Sequence, residues 1–425
     1  MKAVQLCLPM LIAAVLMTAM GGMRASAQIL PTATPTPGAC SITQIGSAKV
    51  DCRTGAEDPP SFLGVSGGNI NSVDATGTSC CTGTFGALVK DTKSVDYVLG
   101  TNYALARASN GVRSASRNEL IVQPGLVDLG CWQDTTDTVA KLWSWVPIGF
   151  AGPVPNTMDA AIAKVVTAQA SPGAAPTPGI DPLGRIFNIG QISTTPFPFD
   201  SLEDGLRVMK MGRGSCLTTG QIDAFDAMGK VVYPAKTCNA LGAGAALFNH
   251  QILVMGVAQG DLSGQTCTFA ENGDSGALVL LQNFTCPQAI GVLFAAAGPP
   301  FTPTGGVIAA VTPIQTILTR FKVSLVGKAC TTSDFLPEIN SPAPEMTDAL
   351  RASINTVRAV KERYADALLK HEHVTAVGIG AGDDPNTASL AVYVDDDSPE
   401  TTANIPKQFD GVQVKIKQAG KFSAL

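Results

Sequence analysis

The chain is short of histidine, of charge and of aromatic side chains. Three histidines occur in 425 residues, charged residues make up 15% and aromatics 6%. With a formal net charge of −5 and no cluster of Lys or Arg, nothing in the sequence attracts phosphate backbones or anionic lipid. Nucleic acid is therefore not an expected partner. No C-x-x-C pair is present, which removes the usual zinc and dithiol motifs. Past residue 27 there is no run of about 18 apolar residues, so no membrane-spanning helix is expected.

What is abundant is apolar and turn-forming: 45% hydrophobic residues, 43 glycines and 28 prolines, a composition of compact, loop-rich β proteins. Lys2, the apolar stretch from Leu8 to Met20 and Ala25-Ser26-Ala27 have the layout of a signal peptide over residues 1–27. The expected location is secreted, extracellular or periplasmic, with no membrane attachment after cleavage. Removing residues 1–27 takes Cys7 and leaves ten cysteines, an even set that predicts up to five disulfides. Local spacing favours Cys216 with Cys238 and Cys267 with Cys286, each pair flanking a hairpin or loop.

Four segments follow from texture. Residues 1–27 are the signal peptide, and residues 28–60 are a Pro/Thr-rich linker and extension. From 61 to 328, short Val/Ile/Leu runs such as Phe85–Val89, Tyr97–Leu99, Leu120–Val122, Ala277–Leu281 and Ile290–Phe294 recur between Gly, Asn, Asp and Pro clusters. That spacing predicts antiparallel barrels or sandwiches. Residues 345–425 change character: Met346, Leu350, Ile354, Val357, Tyr364 and Leu368 have helical spacing, and the alternating runs after Val374 complete a small α/β sandwich expected beside the barrels.

Gly273-Asp274-Ser275-Gly276 is the segment richest in chemistry. Glycines on both sides of a serine permit tight positive-φ backbone and aim two N–H groups at one point. Such a point is an oxyanion hole, here from the amides of Gly273 and Ser275. In this reading Asp274 fixes the turn. A serine hydroxyl also needs a neighbouring base to take its proton.

Several segments resemble, in order, the bacterial branch of the trypsin-like (chymotrypsin-fold) serine peptidases. They are Leu63–Asn69, Gly83–Val89, Asn156–Ala163 with Asp159, Gly212–Gly220 and Gly273–Gly276. The resemblance covers residues 61–328 and implies a mainly β fold of two antiparallel β-barrels. It implies Ser275 as nucleophile and Asp159 as the acid that orients the base, but the base histidine's place in Gly100-Thr101-Asn102-Tyr103-Ala104-Leu105-Ala106 is held by Tyr103. A phenol is ionised to only about 0.1% at pH 7 unless perturbed; Lys90, Lys93 and Arg107 are the cations close enough in sequence to do so. His250 falls on a strand not expected to face the nucleophile, and His371 and His373 lie past the long helix. Phe269 falls near where this fold lines its specificity pocket.

The function expected is that of a serine-peptidase homologue that is catalytically degenerate and acts by binding a peptide or protein, or by scaffolding. The alternatives are an active endopeptidase or esterase with an unusual base, and a disulfide-stabilised structural protein using its C-terminal module as an interaction surface. No cofactor and no metal are expected. Asp395-Asp396-Asp397 is read as a solvated acidic turn rather than a calcium site.

Overall fold

The computed structural model describes residues 40–425 apart from 43, 46–47, 151, 153, 169–176, 235–237, 259–265, 284, 299–307 and 331–345. Residues 1–27, expected to be a signal peptide, and residues 28–39 of the Pro/Thr-rich segment lie outside the described residues. The protein is mainly β, built on two sheets with few helices. No helix among the described residues is long and apolar enough to cross a membrane.

The first sheet uses Ser66–Asn69 (β1), Gly83–Thr84 (β2), Ala87–Asp91 (β3), Asp96–Gly100 (β4), Leu120–Val122 (β5), Thr138–Trp145 (β6) and Ala161–Val165 (β7). With a late strand added at one edge, these line up in the order late strand, β3, β4, β7, β6, β5, β1, β2. Their buried residues Leu88, Val98, Leu99, Ile121, Leu142 and Ile162 form one cluster with Phe85, which lies between β2 and β3. A five-residue helix, Asn102–Ala106 (α1), follows β4 directly.

The second sheet contains Arg207–Gly212 (β8), Cys216–Tyr233 (β9), Gly244–Gly256 (β10), Leu278–Leu281 (β11), Ala289–Ala297 (β12) and Ile308–Pro313 (β13). Its pairings run β8-β11-β12-β13-β10-β9 and return from β9 to β8, a closed circuit. A short helix, Ile314–Phe321 (α2), leads to Val323–Leu325 (β14), the late strand on β3.

β9 is 18 residues long and its neighbour β8 only six. Three register shifts against β10 between Ile222 and Gly229 bend it, and past Gln221 it has outrun β8. An edge left open there would be a pairing hazard. Val374–Ala381 (β15) fills it, pairing Phe225 with Ile379 and Gly229 with Ala376. Ala388–Val394 (β16) and Val412–Gln418 (β17) extend the sheet, and Phe422–Ala424 (β18) pairs with both β9 and β12. The C-terminal strands are thus continuous with the second sheet, where the sequence suggested a separate sandwich beside it. The long helix, Asp348–Leu368 (α3), is capped by the Thr347 hydroxyl on the Leu350 amide. It buries Leu350, Ile354, Val357, Val360 and Leu368 in the core shared with β15 and β16.

All ten cysteines from Cys40 onward are paired: 40–267, 52–216, 80–131, 81–238 and 286–330. Both local pairings suggested by spacing are overturned. Cys216 opens β9 and is bonded to Cys52, whereas Cys238 lies past the far end of β9 and is bonded to Cys81, with the 18-residue strand between them. Cys267 stays beside β10, its N–H on the Gly256 carbonyl at 3.1 Å, while Cys286 is carried past β11.

Candidate functional site

The turn around Ser275 lies where the two sheets meet, and its shape is set by Asp274. That carboxylate is fully buried and accepts from the amides of Gly214 (2.7 Å), Glu271 (2.9 Å) and Ser215 (3.2 Å) and from the Ser215 hydroxyl (2.6 Å). The equally buried Lys210 ammonium sits 2.9 Å from it. Burial pushes the Lys210 pKa down, against the pull of Asp274. Phe269, expected near a specificity pocket, is a core residue beneath this turn, with its carbonyl accepting from the Thr218 hydroxyl at 2.7 Å.

Two glycines are required by backbone conformation. Gly273 has φ +98° and Gly276 φ +101°, and a Cβ on Gly276 would come within 2.2 Å of the Thr84 carbonyl oxygen. From the first sheet, β2 clamps the turn: the Thr84 amide donates to the Ser275 carbonyl and its hydroxyl to the Gly273 carbonyl, each at 2.8 Å. The amides of Gly273 and Ser275 donate to no acceptor among the described residues.

Ser275 itself is fully buried, and its Oγ lies 2.9 Å from the Oγ1 of Thr101. Thr101 is the N-cap of α1, so the same oxygen already accepts from the Ala104 amide at 3.1 Å. A second hydroxyl can orient Ser275 but cannot take up its proton at neutral pH. Tyr103 points elsewhere. Its ring meets Tyr233 edge-on at 5.8 Å between centroids, and its hydroxyl lies 3.6 Å from Cys81 Sγ, in the Cys81–Cys238 bridge.

Asp159 is brought to α1 through the backbone. One carboxylate oxygen accepts from the amides of Asn102 (2.6 Å) and Tyr103 (3.2 Å), and the other accepts from the Tyr233 hydroxyl (2.7 Å). Burial pushes the Asp159 carboxyl up to about 6, against the three hydrogen bonds that favour its charge. The Tyr103 phenol is raised by burial and by the Asp159 charge, the reverse of what a tyrosinate base requires. The cations near it in sequence are engaged away from it, Arg107 with Glu119 at 2.8 Å and Lys90 with Asp96 at 3.4 Å.

Asp159 therefore makes a stability prediction with a definite sign. A carboxyl raised from 3.8 to about 6 binds more protons folded than unfolded between those values, so its contribution falls as pH rises through the window. The full difference is about 3 kcal/mol at most. Asp226 acts oppositely and lower. Burial raises it, but His250 and Lys361 outweigh burial and hold it to about 2, so its contribution is lost only as pH falls from about 4. Urea unfolding should show higher stability at pH 5 than at pH 8, with a decline below pH 4. Asp159→Asn should flatten the upper slope; an unchanged slope in that variant would show that Asp159 does not carry it.

The three histidines are far from this chemistry. His250 pairs with Asp226 at 2.6 Å, next to Lys361 and Arg358 of α3, and His373 pairs with Asp395 at 2.9 Å. His371 and His373 line a cleft at the end of α3. In the acidic triplet, Asp396 accepts from the Ser398 amide and the Ser398 and Thr401 hydroxyls. Among the described residues no group of three or more His, Cys, Asp or Glu is arranged to hold a metal ion. Sequence reasoning passed over Thr101, Tyr233 and Lys210. Thr101 carried a usable signal, a threonine three residues before the buried Ala104 amide it caps; Tyr233, 74 positions from Asp159, carried none.

No family model and no curated protein matches the chain. Among solved structures, Thermobifida fusca protease A is similar at 18% identity and a TM-score of 0.34, over 63% of this chain and 98% of that one. A Nocardiopsis protease follows at 14% and 0.34 (62% and 97%), and Cellulomonas bogoriensis chymotrypsin at 16% and 0.30 (58% and 91%). These neighbours are bacterial serine proteases of the trypsin and chymotrypsin type.

Proposed function

We propose that the chain is a secreted trypsin-like serine-peptidase homologue that has lost its general base and works by binding a peptide or protein. The observation that carries this reading is the partner of Ser275: the hydroxyl of Thr101 at 2.9 Å, with Tyr103 turned toward Cys81. In this reading the two sheets are the two barrels of that fold, and the unpaired amides of Gly273 and Ser275 are the remnant of its oxyanion hole. Five disulfides among the described residues fit an oxidising compartment.

Magnitude separates a silent site from a slow enzyme. In subtilisin, loss of the base costs about 2 × 10⁶ in kcat, or about 8–9 kcal/mol of transition-state stabilisation. The wild-type protein should therefore react with a fluorophosphonate probe, and hydrolyse activated esters, no faster than Ser275→Ala. Labelling or turnover that disappears in Ser275→Ala would overturn the proposal in favour of an active enzyme.

A further inference from the structure

Where β15 joins β9, a cavity of about 260 Å³ lies between the 203–205 loop, α3 and the turn from β15 to β16. Its walls are mostly apolar, with Phe225, Leu350, Ile354 and Pro385 among them. Glu203 also lines it, only 6% exposed, and its Oε2 has no hydrogen-bond partner among the described residues. Burial alone pushes the Glu203 carboxyl up to about 7. A buried carboxylate with no partner is costly and is usually matched by a counter-charge.

The surroundings add negative charge. Asp204, Asp383 and Asp384 line the same cavity, and the two lysines nearby are already committed. Lys417 bonds Asp223 at 2.8 Å and lies 3.7 Å from Asp204; Lys415 bonds Asp383 at 3.0 Å and the Gly382 carbonyl at 2.8 Å. Asp204 also accepts from the Ala381 amide at 3.0 Å. Glu203 thus has a buried oxygen left without a partner among the described residues, the place an incoming cation would take. A hydrated metal ion suits the apolar walls poorly, and a volume below the roughly 300 Å³ of small drug sites fits one side-chain-sized group.

We propose that this cavity binds a primary ammonium on an unbranched alkyl stem, the stem lying along Phe225, Leu350 and Ile354 and the ammonium on Glu203. The site rests on residues other than those around Ser275, so it stands whether or not the serine is silent. The same chemistry is offered by a lysine side chain of a partner and by a free amine.

The test is calorimetric titration of the full chain with n-hexylammonium, with neutral n-hexanol, and with a short peptide carrying one central lysine. Hexylammonium should bind with a Kd on the order of 1 mM or tighter, at least tenfold tighter than hexanol, and Glu203→Gln should remove that preference. Tighter binding of the peptide than of the free amine assigns the site to a protein partner; the reverse assigns it to a small amine. Equal affinity for hexanol and hexylammonium in the wild type would overturn the proposal without recourse to a variant, as would an unchanged preference in folded Glu203→Gln.

Discussion

Tyr103→His should raise the rate at which Ser275 reacts with a fluorophosphonate by about two to four orders of magnitude, the range a positioned general base supplies. The argument is geometric. The backbone of α1 is already anchored to Asp159 by the Asn102 and Tyr103 amides, so an imidazole at 103 starts next to a carboxylate able to orient it. What stands against full recovery is Tyr233, whose hydroxyl occupies the other Asp159 oxygen at 2.7 Å. The double variant Tyr103→His/Tyr233→Phe should therefore exceed the single one, because it frees that oxygen for the imidazole N–H. If both variants fold and neither gains over wild type, the Ser275 turn is not a site lacking only its base.

Asp274→Ala should be the most destabilising single substitution at the turn, by about 3–5 kcal/mol in urea unfolding. The loss is not of one contact. Three amides, one hydroxyl and the Lys210 ammonium converge on this carboxylate, and both charged side chains are wholly buried. Removing it leaves Lys210 with the Ser215 hydroxyl and the Cys216 carbonyl alone. Burial already lowers the Lys210 pKa, so the variant should shed that proton and lose stability least at high pH. Lys210→Met with Asp274→Asn should recover much of the loss, since a neutral pair leaves no uncompensated charge. A cost below 1 kcal/mol for Asp274→Ala would mean the turn is held by its glycines and by Thr84.

The strands were legible wherever one face is buried. Ala87–Asp91, Asp96–Gly100 and Leu278–Leu281 carry apolar runs bounded by turn residues, and the α3 stripe of Leu350, Ile354, Val357 and Leu368 stands out because a helix spaces its buried residues by three and four. Connectivity was not legible. Disulfide partners separated by 157 to 227 positions are brought together by sheet order, which local spacing does not encode. The joining of β15 to β9 was hidden for the same reason, since it depends on β9 outrunning β8. At the site, Ser275, Asp159 and Tyr103 were nameable because glycine spacing and segment order point to them. The pairing of Ser275 with Thr101 and of Asp159 with Tyr233 depends on rotamers and on residues up to 174 positions apart.

The place of β18 between β9 and β12 sets a clock on biosynthesis. Val231 pairs with Phe422, so the second half of that pair is made 422 − 231 = 191 residues after the first. At about 5–20 residues per second, Val231–Val232 wait roughly 10–40 s and Ala295–Ala297 roughly 6–26 s for that last neighbour. During that interval the nascent sheet offers open edges to any other extended chain. A holdase that occupies those edges until residue 424 has emerged would improve the yield of native protein, whereas one that releases the chain earlier would not.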